Sequence, residues 1–434
     1  MRRLDASAPG FAAEFDALAN DRRESDSDVS ADVAAIIARV KAEGDAALAD
    51  YTAKFDRFDL DASGWSISKA ECAAAYEALA PDLRDALNFA ADRIRAYHAA
   101  QLPEDRDYRD ATGARLGARW NAVDAAGVYV PGGRAAYPSS VLMNILPAKV
   151  AGVGRIVMMT PTPGGETNPV VMAAAHIGGV DEIWRIGGAQ AVAALAYGTD
   201  KIAAVDVVTG PGNAWVAEAK RQVYGVVGID MVAGPSEIVV VADAQNDPRV
   251  IAADLLSQSE HDPTSQSILF TDDAAFADAV AAAVDAIIPT LSTAATMRKS
   301  WDANGAIIIV PTLADAIPLC DRLAPEHLEL AVDAAAADAL FAKVRHAGSV
   351  FLGRQTPEAI GDYVAGPNHV LPTGRRARFS SGLSVSDFMK RTSFLALDDA
   401  SLAAIGPAAV ALAKAEGLPA HALSVQNRLK QNDL

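Results

Sequence analysis

The sequence predicts an α/β fold with two parallel-sheet domains and helical arms at both ends. Three observations carry this. Up to about Gly117 apolar residues recur at helical spacing, beyond it short β-rich runs alternate with amphipathic helices, and the last stretch is helical again. Strand, helix and strand in succession argue for parallel sheets with helices on their faces. A chain of 434 residues also exceeds the size at which one hydrophobic core stops growing, so more than one domain is expected.

In the first third, Ala34, Ile37, Val40 and Ala47 share a helical face, and residues 71–99 continue in that style with a break at Pro81. Strands are then expected at 127–130, 155–160, 182–186, 205–209, 237–242, 267–271, 306–310 and 348–352. Helices at 213–224, 275–288 and 334–344 fill gaps between them. Eight strands suffice for two sheets, and Gly- and Pro-rich boundaries near 128–133 and 233–237 make the middle segment an α/β domain inserted into another. No internal repeat is visible in the residues. The tail, 397–434, is helical with a break at Gly417-Leu418-Pro419 and contains no strand, which suits docking on a partner subunit and folding back on its own domain about equally.

Composition narrows the function. Half the residues are hydrophobic (51%) and 21% are charged, as in an ordinary globular enzyme. The net charge of −17 argues against a nucleic-acid partner, which calls for a basic face. No apolar stretch is long enough to span a membrane, and the N-terminus has no apolar core of a secretory signal. The two cysteines, Cys72 and Cys320, lie far apart in helical stretches, which fits buried apolar positions and a reducing compartment, so the protein is expected in the cytoplasm.

Polar residues that suit chemistry fall in four segments. Gln258 and His261, three apart on a helix ended by Pro263, face one direction and could ligate a metal. Spacing alone favours a simpler account, a histidine placed well at a helix C-terminus. Glu326 and His327 follow a proline, and in a turn they would direct a carboxylate and an imidazole into one cleft, a pair able to move protons near neutral pH. A solvated loop accounts for the same pattern. Asp362 and His369 lie in a stretch too glycine-rich to read as helix, and Glu416 and His421 flank the break in the tail. Together Gln258, His261, Asp362 and His421 would make a nitrogen and oxygen site suited to zinc.

The nucleotide signal is incomplete. Gly210-Pro-Gly-Asn213 follows a strand and opens a helix, where backbone N–H groups can meet phosphate, but the third glycine of the dinucleotide fingerprint is missing. Tyr129-Val-Pro-Gly-Gly133 and Gly187-Gly-Ala-Gln190 are further glycine turns after strands.

These segments, with Ala233-Gly-Pro-Ser-Glu237, Leu256-Ser-Gln-Ser-Glu-His-Asp-Pro263, Ala324-Pro-Glu-His-Leu328, Gly361-Asp-Tyr-Val-Ala-Gly-Pro-Asn-His369 and Phe379-Ser-Ser-Gly-Leu-Ser-Val385, resemble histidinol dehydrogenase in content and order over most of the chain after Gly117. The resemblance implies a zinc- and NAD-dependent enzyme of histidine biosynthesis that oxidises L-histidinol to L-histidine in two steps. It implies zinc on Gln258, His261, Asp362 and His421, and acid–base work by Glu326 and His327. Ser236, His369 and Glu416 would hold the substrate beside those ligands and His327, while Tyr129, Gln190 and Asn213 would contact NAD. The two domains would be incomplete Rossmann-like units, and the enzyme a homodimer whose C-terminal arm completes its partner's site.

The division implied is an N-terminal arm over 1–24, a first domain of 25–128 plus 238–380 carrying metal and catalytic pair, an NAD-binding insert over 129–237, and a dimerisation arm over 381–434. Competing readings are a related zinc dehydrogenase for another diol, a zinc hydrolase with Glu326 activating a metal-bound water, and a binding protein. His369 and Glu416 favour an amino alcohol over the first; the glycine turns after strands count against the second; the Glu326–His327 pair is unexplained by the third.

Overall fold

The computed structural model describes residues 1–21, 28–132 and 137–431. Gly133 of the expected turn, residues 22–24 of the N-terminal arm and residues 432–434 of the tail lie outside them. The described strands are β1 (Arg2–Asp5), β2 (Arg106–Arg109), β3 (Arg115–Ala122), β4 (Ala125–Tyr129), β5 (Arg155–Met159), β6 (Glu182–Trp184), β7 (Val207–Thr209), β8 (Gly228–Ile229), β9 (Glu237–Ala242), β10 (Gln266–Thr271), β11 (Ala306–Ile309), β12 (His327–Ala331), β13 (Ser349–Leu352) and β14 (Met389–Ala396). All eight expected strands are among them.

Two parallel sheets form the body. One runs β6-β5-β4-β7-β8 and the other β1-β11-β10-β9-β12-β13. Counted from the first strand in sequence, the smaller sheet has the order 3-2-1-4-5, the doubly wound dinucleotide-binding order without its sixth strand. β9 to β13 repeat that order, with β1 added at the edge beyond β11. The repeat is therefore one of topology, which residue-by-residue comparison along the chain does not register. β14-β3-β2 make a small antiparallel sheet.

Burial on both faces explains why the parallel strands read as near-continuous apolar runs. In the larger sheet Val239, Val241, Ile268, Phe270, Ile308, Leu328 and Leu330 face one core, while Ile238, Val240, Leu269, Ile307 and Ala331 face another. That is the two-residue period of a strand. The smaller sheet is likewise covered on both sides, by helices Pro81–Ala99, Pro138–Ala151 and Pro169–Gly178 on one and by Ser30–Glu43, Gly188–Tyr197 and Ala214–Val223 on the other. Cys72 and Cys320 are buried and free, as their apolar settings predict.

Two local expectations change. Glu326 and His327 do not sit in a solvated turn: both are buried, and His327 opens β12, a strand with parallel neighbours on either side. The stretch holding Asp362 is not a loop, because Glu358–Tyr363 is a short helix. Gly361 is needed there since a Cβ would lie 2.6 Å from the Phe351 ring. His369 does lie in the loop beyond it. The tail forms helices Asp399–Ala415 and Pro419–Gln431, broken at Gly417 with φ +71°. Among the described residues, no helix is long and apolar enough to cross a membrane.

Candidate active site

A cavity of about 440 Å³ opens where the two sheets meet. On the smaller sheet it lies at the carboxyl ends of β4 and β7, the switch point where a doubly wound sheet leaves a crevice. On the larger sheet it lies at the opposite ends of the strands, beside Ser236 before β9 and His327 at the start of β12. The helix Pro248–Ser259 after β9 runs back to that end, which brings Gln258 and, just past it, His261 to the wall.

The first wall is built from glycine turns. Gly210 has φ +114°, and a Cβ on it would lie 2.1 Å from the Tyr129 carbonyl oxygen, so only glycine lets β7 turn away so close to β4. Asn213 caps helix Ala214–Val223, its side chain accepting from the N–H groups of Trp215 (3.1 Å) and Val216 (3.2 Å). Tyr129 is buried behind the wall, its hydroxyl accepting from the Gly188 N–H at 3.2 Å. Gln190 is also buried. Asn213 lines the cavity; Tyr129 and Gln190 are not among its lining residues.

The second wall brings together Ser236, Gln258, His261, Glu326, His327, Asp362 and His369. His327 is held from three sides. Its Nδ1 is 3.0 Å from Gln258 Oε1 and 3.3 Å from the Glu237 carbonyl oxygen, and its Nε2 is 3.5 Å from Glu358 Oε1. Glu326 Oε2 accepts from the Glu237 N–H at 3.2 Å, and Asp362 Oδ1 stands 3.6 Å from His369 Nδ1. Glu416 and His421 do not join them: both are exposed and outside the cavity lining of their own chain.

Burial sets the protonation states. It lowers the His327 imidazole to about 4, against the pull of the Asp362 carboxylate, leaving the ring neutral and able to accept a proton at neutral pH. Burial, then repulsion from Glu237, pushes Glu326 well above the usual carboxylate range. Burial and then Asp362 raise Glu358 to about 8. Burial opposes ionisation of Asp362 too, but the His369 imidazole beside it, with His327 and His261 close by, holds its carboxyl below the usual range.

The residues fit a metal. Gln258, His261 and Asp362 offer the oxygen and nitrogen donors zinc takes, with no thiolate among them. Gln258 is 1% exposed and its Nε2 has no hydrogen-bond partner, an orphan that a ligand from outside the chain would explain. Turning the amide over presents its oxygen at that place. His327, Glu358 and Asp362 also bring one ligand atom each within 4.8 Å of one another. That trio shares Asp362 with the expected set.

Glu358 escaped the sequence reading. The signal was present, since it precedes Asp362 by four residues and so shares its helix face, but Gly361 made the stretch read as a loop. Behind it Asp254 stands beside Glu329, and burial raises Asp254 to about 6 from 3.8. A carboxyl whose folded value is raised keeps its proton longest in the native state. Its stabilisation is therefore full below about 3.8 and lost as pH climbs towards 6. Asp254→Asn is expected to remove that loss, so its stability relative to the parent should rise by on the order of 2 kcal/mol between pH 4 and 6.5. Denaturant unfolding at several pH values measures it, and a difference independent of pH refutes it.

A model of the histidinol dehydrogenase family matches residues 19–429. The chain is 65% identical over 431 residues to a histidinol dehydrogenase of Zymomonas mobilis subsp. mobilis, covering 99% of this chain and 100% of that one. It is 58% identical over 432 residues to one from Gluconobacter oxydans, covering 100% of both. Its fold superimposes on a crystal structure of histidinol dehydrogenase from Elizabethkingia anophelis with a TM-score of 0.95 at 34% identity, over 100% of this chain and 99% of that one.

Proposed function

The chain belongs to the histidinol dehydrogenase family of oxidoreductase enzymes, and from that premise we propose that it oxidises L-histidinol to L-histidine with zinc and two NAD per turnover. The observation that carries the reading is the buried, neutral His327 in a cavity shared by Glu326, Asp362, Gln258 and His261 on one wall and by the Gly210–Asn213 turn on the other. A neutral imidazole and a group of oxygen and nitrogen donors facing a glycine turn at a helix start support a proton acceptor, a metal and a dinucleotide in one cleft.

Zinc on Gln258, His261, Asp362 and His421 of the partner subunit would fix the substrate's amine and imidazole, a task of orientation. Tyr129, Gln190 and Asn213 would hold NAD, which would supply the hydride acceptor for both oxidations. His327 takes the hydroxyl proton as hydride leaves the carbinol carbon, giving the aldehyde. Glu326 accepts a proton from water as it adds to that carbonyl, and protonated His327 returns its proton to the carbonyl oxygen, which gives the gem-diol and frees the imidazole. His327 then takes a proton from the resulting gem-diol as the second hydride leaves, and the carboxylate forms. Glu326 must be ionised for its step. Neutralising Asp362, one of the charges that raises it, works in that direction. Ser236, His369 and Glu416 of the partner subunit would hold the substrate.

The remaining parts of the reading follow. We place an NAD-binding unit at 129–237 inserted in a first domain of 25–128 plus 238–380, with arms at 1–24 and 381–434. In favour, β5 to β8 all fall inside 129–237; β4 and the helices of residues 30–56 add to the same sheet from before it. A homodimer and a cytoplasmic location complete it, the latter in keeping with two free, buried cysteines.

The test is a count. Supplied with L-histidinol and excess NAD, the enzyme should form two NADH per substrate, with loss on chelation and recovery with zinc. One NADH overturns the double oxidation. None, with substrate consumed, points to hydrolysis.

A further inference from the structure

We propose that Lys220 and Asp230 form a positioning pair that holds the Gly210–Asn213 turn in its cofactor-binding shape, an inference that rests on the reading of this turn as the NAD site. The two side chains make an ion pair and are 3% and 1% exposed. Both touch the cavity. A pair so deeply buried costs desolvation that its mutual attraction offsets only when the remaining hydrogen-bonding capacity is also used.

Here it is used on one residue from both sides. Lys220 Nζ donates to the Gly210 carbonyl oxygen at 2.9 Å, and Asp230 Oδ2 accepts from the Gly210 N–H at 2.8 Å. Gly210 thus has both its peptide groups pinned, at the left-handed φ where glycine is otherwise freest to move. Asp230 Oδ1 also accepts from the Met231 N–H at 2.6 Å, at the start of the 231–236 crossing that leads from β8 to Ser236 and β9. One pair therefore fixes the turn and the strand-to-strand crossing into the wall that carries Glu326 and His327. Paired with Lys220, Asp230 would also present no net charge to an anionic pyrophosphate, if one were held by the N-terminus of helix Ala214–Val223.

Lys220→Met should raise the KM for NAD about tenfold or more while the KM for L-histidinol moves much less, since misplacement falls on one wall only. In the ligand-free protein, amide hydrogen exchange over 207–216 should speed up by a similar factor. Lys220→Arg, which keeps the charge, should recover most of both. If Lys220→Met does not accumulate folded, Asp230→Asn, which keeps an acceptor for the Gly210 N–H but loses the ion pair, is read in the same way. Unchanged KM for NAD and unchanged exchange in a folded variant overturn the proposal, as does an equal rise in both KM values. Should the parent enzyme form no NADH, the NAD reading fails by itself, and the exchange measurement alone then decides whether the pair holds the turn.

Discussion

His327→Asn is expected to lower kcat by roughly 10²–10⁴-fold, the worth of a well-placed general base. Asparagine is close in reach and keeps a polar group near Gln258 and the Glu237 carbonyl, but it cannot accept a proton. Both hydride transfers need one removed, so no partial reaction should survive. The depressed imidazole gives this prediction a second readout. A histidine held at about 4 is already neutral throughout the working range, so the acid limb of the first oxidation, which does not need Glu326 and is followed by single-turnover NADH formation, should fall well below the ordinary histidine value near about 6.5. Zinc content of the variant serves as the control, because His327 is no zinc ligand in this scheme and its loss should leave the metal in place. Near-parent turnover in a folded, zinc-loaded variant would remove His327 from the mechanism. Glu326→Gln should behave differently, slowing the hydration step and releasing aldehyde while the first oxidation continues.

Much of the architecture could be read from residues because both main sheets are buried on both faces. Strands such as Glu237–Ala242 and Arg155–Met159 are then unbroken apolar runs after their first, charged residue. The strands that escaped lack that signature. β2 is exposed along its whole length, β8 has two residues, and β1 is a charged edge strand. β12 is the informative case: His-Leu-Glu-Leu-Ala places a histidine and a glutamate in a strand buried throughout, and polarity made it read as a turn. Only the tertiary fold supplies the partners of His327, the Gln258 side chain and the Glu237 carbonyl, and sets Glu329 beside Asp254. The same reason hides Lys220 and Asp230, ten residues apart and each unremarkable alone. Convergence of Gln258, His261, Glu326, His327, Asp362 and His369 on one cavity likewise depends on the two sheets meeting at opposite strand ends, which local spacing does not encode.

The second large effect concerns Glu416 and His421. Neither lines its own chain's cavity, and both are exposed on the helical tail. The tail's two helices pack on each other, Gly406 lying so close that a Cβ would meet Leu429 at 3.2 Å. They leave Leu412 and Leu423 exposed at 64% and 54%, apolar surface that a second subunit would cover. If the partner supplies these groups, His421→Asn and His327→Asn should each give an almost inactive homodimer by damaging different chains' contributions to one site. A heterodimer of the two then contains one doubly damaged site and one intact site. Co-expressed with different tags and purified through both, it should regain about half the parent's activity. A site built wholly within one chain predicts the reverse, because each subunit would still carry its own lesion. An inactive heterodimer with normal dimer mass would therefore place His421 and Glu416 outside any shared site. Recovered activity that vanishes when the subunits are separated by dilution would tie catalysis to the dimer itself.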